Sequence, residues 1–532
     1  MGTAVDAPRR RALNLLLALT ASACSSGDAP EFDVILRGGT LHAAGDEPGF
    51  VADVALAGDR IAAMGDLSGY DARDILDVTG LHVAPGFIDV HSHAGSGLDT
   101  EDRSHAEPLL AQGITTVVVN PDGGGLVDLA LQRAVLLEDG LGVNVAQLVP
   151  HGSVRRAVLG MEDRLPGPDD LAEMKALVRA GMEEGAFGMS SGPFYAPGSY
   201  SDTRELTALA KVAAEYGGVY TSHIRDESDY TIGLMAAVEE VIAVARSAGL
   251  PGVVTHIKAL GPPAWGKSAE VIAAIEAARA EGVEVYADQY PYEASSTGLS
   301  AALLPRWAQA GGGDSLMARL ADPATRARIR KEMEANLARR GGADRLQFRR
   351  FRPEPSIEGR TLEDVAIARS LHPLDAALEL IAEGGASVVS FNMNDDDIAA
   401  FMIQPWTMTA SDGALPQWEV GVPHPRAYGT FARKLRKYVV EDGTVSLKAA
   451  IRSMTSLPAD VFGLEGRGRL VTGAVADIVV FDLEEVRDLA TYTDPHQLSQ
   501  GMVHVFVNGT AAIRDGAFTG ERAGRVLRRE DR

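Results

Sequence analysis

The sequence predicts an α/β fold: a TIM-type (β/α)8 barrel with a small β domain built from both chain ends and an insertion between barrel strands 7 and 8. Three observations predict it. Between residues 85 and 454, apolar runs alternate with amphipathic stretches, the pattern of βα units on a parallel sheet. There are eight such runs, the number that closes this kind of barrel. The two chain ends have a different texture, short alternating segments separated by glycine-rich turns, which reads as antiparallel strands.

Residues 1–31 stand apart. Arg9, Arg10 and Arg11 precede a short apolar run, Ala12 to Leu19, and small residues then lead to Cys24, the single cysteine. This is the order of an export signal, and the run is too short to span a bilayer. Ala21-Ser22-Ala23-Cys24 resembles a bacterial lipoprotein processing box, with Ala21 where leucine is usual, and the arginines also resemble a twin-arginine signal. The expectation is an exported protein, anchored through Cys24 and facing the periplasm or cell exterior, the alternative being a simply cleaved signal. One cysteine excludes an internal disulfide.

Residues 32–84 supply the N-terminal part of the β domain, through segments such as Asp33 to Arg37, Ala52 to Leu56 and Arg60 to Met64. Residues 85–454 form the barrel. Its strands are expected at Phe87 to His91, Thr116 to Val119, Val145 to Val149, Ala186 to Ser190, Val219 to His223, Val253 to His256, Val283 to Asp288 and Trp406 to Asp412. Helical stretches such as Ser228 to Gly249 and Ser268 to Gly282 fall between them. The insertion, about 303–400, contains Arg-rich helix-like sequence from Ala324 to Arg349 and a strand candidate, Ser387 to Phe391, and reads as a lid or substrate-shaping subdomain. Residues 455–532 complete the β domain.

With 46% hydrophobic and 23% charged residues over 532 positions, the chain has the composition of a globular protein rather than a disordered one. Its net charge of -23 carries no basic run beyond the first dozen residues, which argues against nucleic-acid binding. The expected partner is a small molecule, and the membrane enters only through the N-terminal anchor.

The chemistry concentrates at strand ends, where a TIM-type barrel carries its active site. Pro85-Gly86-Phe87-Ile88-Asp89-Val90-His91-Ser92-His93 is a buried strand ending in His-x-His. Alternate residues of a strand point the same way, so two imidazoles converge on one point, an arrangement that suits zinc. His223 and His256 end two further strands, and together with His-x-His they read as metal ligands. Asp412 ends the last strand, where a carboxylate takes a proton from metal-activated water and returns it to a leaving nitrogen; its plainer role is to cap a turn.

These elements, in this order, resemble the metal-dependent amidohydrolase superfamily, and more closely the D-aminoacylases, the N-acyl-D-amino-acid deacylases, over nearly the whole mature chain. The similar stretches include Gly188-Met189-Ser190-Ser191-Gly192, Tyr195 to Tyr200, Ser222-His223-Ile224-Arg225-Asp226-Glu227, His256-Ile257-Lys258, Asp288 to Thr297, Ser411-Asp412-Gly413 and His424 to Phe431. The resemblance implies hydrolysis of the amide of N-acyl-D-amino acids by a zinc-activated hydroxide, with one or two zinc ions. It also marks a departure: Asp122, in Asn120-Pro121-Asp122-Gly123, stands where the family usually has a cysteine ligand. A carboxylate binds zinc and can bridge two ions. Substrate roles follow by the same resemblance for Lys258, Arg426, Tyr290, Tyr292 and Ser296. The alternative for Lys258 and Arg426 is an ion pair with a pocket carboxylate. His151, ending strand 3, either lines the site or makes a structural hydrogen bond.

Two other readings compete. Cyclic amidases such as hydantoinases and dihydroorotases, and dipeptidases, share the scaffold, but many use a carboxylated lysine after strand 4, where this chain has Met189-Ser190-Ser191-Gly192. A catalytically silent binding lipoprotein is the other, and the full His/Asp set argues against it.

Overall fold

The computed structural model describes residues 31–43 and 48–529, so the leader and Cys24 lie outside the described residues. Each of the eight predicted barrel runs overlaps a strand, with ends shifted by one or two residues in most: Phe87–Asp89, Ile114–Val119, Asn144–Gln147 continued by Val149–Pro150, Gly188–Ser191, Val219–Ser222, Gly252–Val254, Val285–Gln289 and Thr407–Thr409. All neighbours pair in parallel, and the third strand links the two arcs of the wall. The seam between eighth and first strands closes through Asp412 N to His91 O and His93 N to Gly413 O, each 2.9 Å. Asp89 fastens that seam from inside, accepting from Ser411 N at 2.8 Å and Ser411 Oγ at 2.5 Å.

The barrel is filled rather than hollow. Ile88, Val118, Ala146, Phe187, Val253 and Met408 pack within it, and Leu457 and Phe462 of helix Ser456–Phe462 join the same core. Each such buried aliphatic or aromatic side chain stabilises the fold by about 1.5–3 kcal/mol. Around the wall, the apolar faces of helices Pro168–Glu183, Thr203–Glu215, Leu234–Ala248 and Ser268–Ala280 bury a second core. These layers hold the strand ends rigidly, which is what a site made from several strands requires.

The chain ends meet as expected: His82–Pro85 pairs antiparallel with Ile478–Phe481 within one nine-stranded sheet. That sheet is mixed, not purely antiparallel. Phe32–Leu41 runs parallel to Ala72–Asp77 and to His82–Pro85, because the chain returns to it by crossovers rather than hairpins. Helix Ser456–Phe462 belongs to the barrel floor, so the β domain resumes later than residue 455.

Two helical expectations shift. The helix expected from Ser228 begins at Leu234, since Asp226 captures the backbone N–H groups of Ser228, Thr231 and Gly233 and holds residues 228–233 as a loop. The Arg-rich stretch is helical only over Pro323–Arg339; Gly341 and Gly342, with φ of 88° and 121°, end it, and Leu346–Arg350 is a strand. That strand pairs with Ser387–Phe391, which in turn pairs with Ala294–Gly298, a sheet that starts before the expected boundary of the insertion. Among the described residues, no helix is long and apolar enough to cross a membrane.

Candidate metal centre and substrate cavity

At the C-terminal mouth of the barrel lies a cavity of about 690 Å³. Its floor is built by short-range backbone constraints. Asp122 follows the second strand in a single 3-10 turn with φ of 57°, and His256 and Asp412 also have positive φ, 36° and 48°. Such left-handed conformations in non-glycine residues cost about 1–3 kcal/mol and persist only where surrounding contacts enforce them. For Asp122 those contacts come from the fourth strand: Ser190 Oγ accepts from Gly123 N at 3.1 Å and donates to Asn120 O at 2.5 Å. For His256 the enforcing group is Asp288, whose Oδ1 accepts from the His256 amide at 2.6 Å.

The side chains then converge. Asp122 Oδ1 lies 3.3 Å from His91 Nε2 and 3.5 Å from His256 Nε2, while its Oδ2 lies 3.3 Å from His93 Nε2 and 3.8 Å from His223 Nδ1. Asp412 Oδ1 is 3.2 Å from His93 Nε2 and 3.7 Å from His91 Nε2. Two groups of possible ligands share Asp122: His91, His93, Asp122 and Asp412, and Asp122, His223 and His256. Several of these buried atoms have no hydrogen-bond partner, namely His91 Nε2, Asp122 Oδ1 and both ring nitrogens of His223. Buried polar atoms are normally satisfied, so a cluster of orphans aimed at one point fits a cation in that space. The donor set, imidazole nitrogen with carboxylate oxygen, is one that zinc accepts.

Electrostatics agree. Burial pushes His93 down, yet Asp122 and Asp412 outweigh it and hold the ring above the usual imidazole range, at about 9. Burial raises Asp412, but Arg426 and His93 more than reverse this and keep it well below the usual carboxylate range. Carboxylates here stabilise positive charge at the point where the histidines meet.

Around this centre, Lys258, Tyr290, Ser296 and Arg426 line the cavity. Both cations are paired: Lys258 Nζ donates to Glu227 Oε1 at 2.5 Å, and Arg426 Nη1 to Asp412 Oδ2 at 2.7 Å. The ion-pair alternative is therefore real for each, although each still faces the cavity. The Tyr290 hydroxyl is buried without a partner, and the Arg426 guanidinium stacks 4.8 Å from its ring centre.

Two predicted residues do not line the cavity. His151 opens the helix His151–Leu159 fully buried, with its Nε2 2.8 Å from Glu205 Oε1, a structural hydrogen bond shared with Arg155. Tyr292 points the other way, packing against His424 and Tyr492. It sits two residues past Tyr290, but residues 290–293 are not a strand, so the pair do not share a face.

Sequence reasoning had not singled out Glu227 and Asp288 as site residues. Glu227 Oε1 lies 3.2 Å from His256 Nδ1 and 3.8 Å from His223 Nε2, and it holds Lys258. Asp288 Oδ2 lies 3.9 Å from His91 Nδ1. Carboxylates in these positions orient ligand histidines. The signals were present, a Glu four residues after His223 and an Asp ending the seventh strand.

A TIM-type barrel with this His/Asp cluster at its mouth defines the architecture of a metal-dependent hydrolase. The chain belongs to the amidohydrolase family, whose sequence model matches residues 74–512. It is 36% identical over 528 residues to the D-aminoacylase of Alcaligenes xylosoxydans xylosoxydans, covering 95% of this chain and 99% of that protein. To the N-acyl-D-glutamate deacylase of the same organism it is 35% identical, covering 94% and 97%. Among solved structures it is similar, with a TM-score of 0.80, 35% identity and coverage of 93% and 99%, to N-acyl-D-glutamate deacylase from Bordetella bronchiseptica complexed with zinc and a phosphonate inhibitor that mimics the tetrahedral intermediate.

Proposed function

We propose that this protein is a zinc-dependent deacylase of N-acyl-D-amino acids. It cleaves the amide C–N bond with water, giving the carboxylate of the acyl group and a free D-amino acid. The observation that carries this reading is the convergence of four histidines with Asp122 and Asp412 on one cavity. The similarity to deacylases along nearly the whole chain supports it.

His91, His93, His223 and His256 would hold the metal together with Asp122, each of whose oxygens faces two of the histidines and would be a ligand for one ion or two. Zinc bound there supplies Lewis acidity, polarising the scissile carbonyl and acidifying water. Asp412 moves the proton: its Oδ1 faces the histidines, takes a proton from the attacking water and delivers it to the departing nitrogen. Arg426 anchors Oδ2 and so keeps Oδ1 aimed. The remaining Arg426 donors, Lys258 and the Tyr290 and Ser296 hydroxyls surround the place for the substrate's free carboxylate.

The sequence around Cys24 supports export and lipid anchoring. Replacing Cys24 with Ala should release the protein from the membrane fraction without altering turnover, and an unmodified Cys24 in protein from its native host would count against the anchor.

A panel of N-acetyl, N-formyl and N-succinyl D- and L-amino acids, with dipeptides and hydantoins, tests the activity. Hydrolysis of the N-acyl-D compounds is expected; preference for L compounds, dipeptides or cyclic amides would overturn the proposal.

A further inference from the structure

The cavity carries more positive charge than its ion pairs neutralise. Lys258 and Arg426 are balanced by Glu227 and Asp412. Three more guanidiniums line the same cavity: Arg156, exposed on helix His151–Leu159, and two from the insertion, Arg340, just past helix Pro323–Arg339, and Arg349, on strand Leu346–Arg350. Among the described residues, neither of the two from the insertion has a carboxylate within 4.0 Å.

Arg340 is only 1% exposed, and its Nε has no hydrogen-bond partner. With the Asn392 amide turned so that both its oxygen and nitrogen are satisfied, Arg340 Nη1 reaches a neutral acceptor, that amide oxygen, at 3.2 Å. Arg349 donates through Nε to Ser387 Oγ at 3.1 Å, which leaves its two Nη groups for the cavity. Burial lowers Arg349 to about 10, with Arg426 adding to the lowering and Asp412, already paired with Arg426, opposing it only in part.

A buried charge without a partner is costly and is ordinarily paired or removed. Here two such charges come from one subdomain and line one cavity. Arginine's planar fork suits carboxylate recognition better than a diffuse positive field does. The occupant of the cavity is what remains to neutralise them.

We infer that the preferred substrate carries a second carboxylate, beyond the one placed near Arg426 and Lys258, and that Arg340 and Arg349 recognise it. The inference rests on the deacylase reading and narrows it to dianionic N-acyl-D-amino acids. The second carboxylate belongs either to the amino-acid side chain, as in N-acyl-D-glutamate, or to the acyl group, as in an N-succinyl-D-amino acid.

Isosteric pairs separate the two sources. The kcat/KM ratio of N-acetyl-D-glutamate to N-acetyl-D-glutamine reads the side chain, and that of N-succinyl-D-leucine to its succinamoyl amide reads the acyl end. One ratio is expected to exceed about tenfold, the value of a charge-assisted hydrogen bond, and to fall toward unity in Arg349→Gln and in Arg340→Gln. Ratios near unity in the unmodified enzyme, or a ratio that survives both substitutions, would overturn the inference. A binding readout keeps it separate from the deacylase reading. If nothing in the panel is hydrolysed, that reading fails, and the anion site is judged by thermal shift. Stabilisation by N-acetyl-D-glutamate or N-succinyl-D-leucine that exceeds its amide and is lost in both variants supports the site; equal shifts within each pair overturn it.

Discussion

Gly192 and Asp122 meet backbone to backbone: a methyl group built on Gly192 would lie 2.2 Å from the Asp122 carbonyl oxygen and 2.9 Å from its carbon. Neither atom belongs to a flexible side chain that could swing aside, so the turn bearing Asp122 would have to move. Gly192→Ala should therefore displace Asp122 from the histidines and lower kcat/KM by about a hundredfold, the effect of a misplacement of about 1 Å. Zinc content measured on the same preparation should fall in parallel. Wild-type kinetics in the Ala variant would show that the turn has slack the structure does not suggest.

Asp122 itself is tested by two substitutions. Asp122→Ala should lower metal content and rate together, while Asp122→Cys is expected to retain a tightly bound zinc, since thiolate is a good zinc ligand at such a position. Unchanged stoichiometry and activity in the Ala variant would reduce Asp122 to a turn residue.

Asp412 and Arg426 are joined by a 2.7 Å hydrogen bond but have different jobs. Asp412→Asn keeps the shape and removes the proton acceptor, so kcat should drop by at least about a hundredfold with histidine-bound metal largely retained. Arg426→Lys keeps the charge and loses the fork; kcat should fall because Asp412 is less well aimed, and KM should rise for free-carboxylate substrates more than for their amides. Equal losses on both substrate types would assign Arg426 to Asp412 alone.

Lys434 gives a prediction about stability. It is buried, donates to Thr409 Oγ1 at 2.8 Å and Ser453 Oγ at 2.9 Å, and burial lowers its pKa from 10.5 to about 7. A lysine with a depressed folded pKa penalises the native state when protonated. Between about pH 7 and 10.5 the unfolded chain binds more protons at this position, so its contribution raises stability with pH, by up to about 1.4 kcal/mol per unit. Below pH 7 the penalty is fully present. Lys434→Met should flatten this rise, which is checked by comparing denaturation midpoints of both proteins at pH 6, 8 and 9.5; parallel pH profiles would contradict the assignment.

Much of this was legible in the sequence because barrel chemistry sits at strand ends, and strand ends are marked by where an apolar run stops. His91, His93, His223, His256 and Asp412 each end such a run, and the structure brings them together. Side-chain direction beyond a strand end is another matter. His151 and Tyr292 follow strands just as closely, yet a helix start turns one toward Glu205 and a non-strand segment turns the other toward His424. The same limit hid the partners of Lys258 and Arg426, which depend on loop paths rather than on periodicity. The insertion was the least legible part. Its Arg-rich run reads as one helix, but Gly341 and Gly342 break it and long-range pairing with Ser387–Phe391 makes Arg349 a strand residue facing the cavity.

The central claim, that catalysis depends on metal held by the histidine and Asp122 cluster, is tested most directly by zinc titration of metal-depleted enzyme against an N-acetyl-D-amino acid. Prolonged chelation should abolish hydrolysis, and zinc should restore it in proportion to the ion bound, with saturation at one or two equivalents per chain. Full activity in a sample shown by elemental analysis to be free of metal would contradict the account.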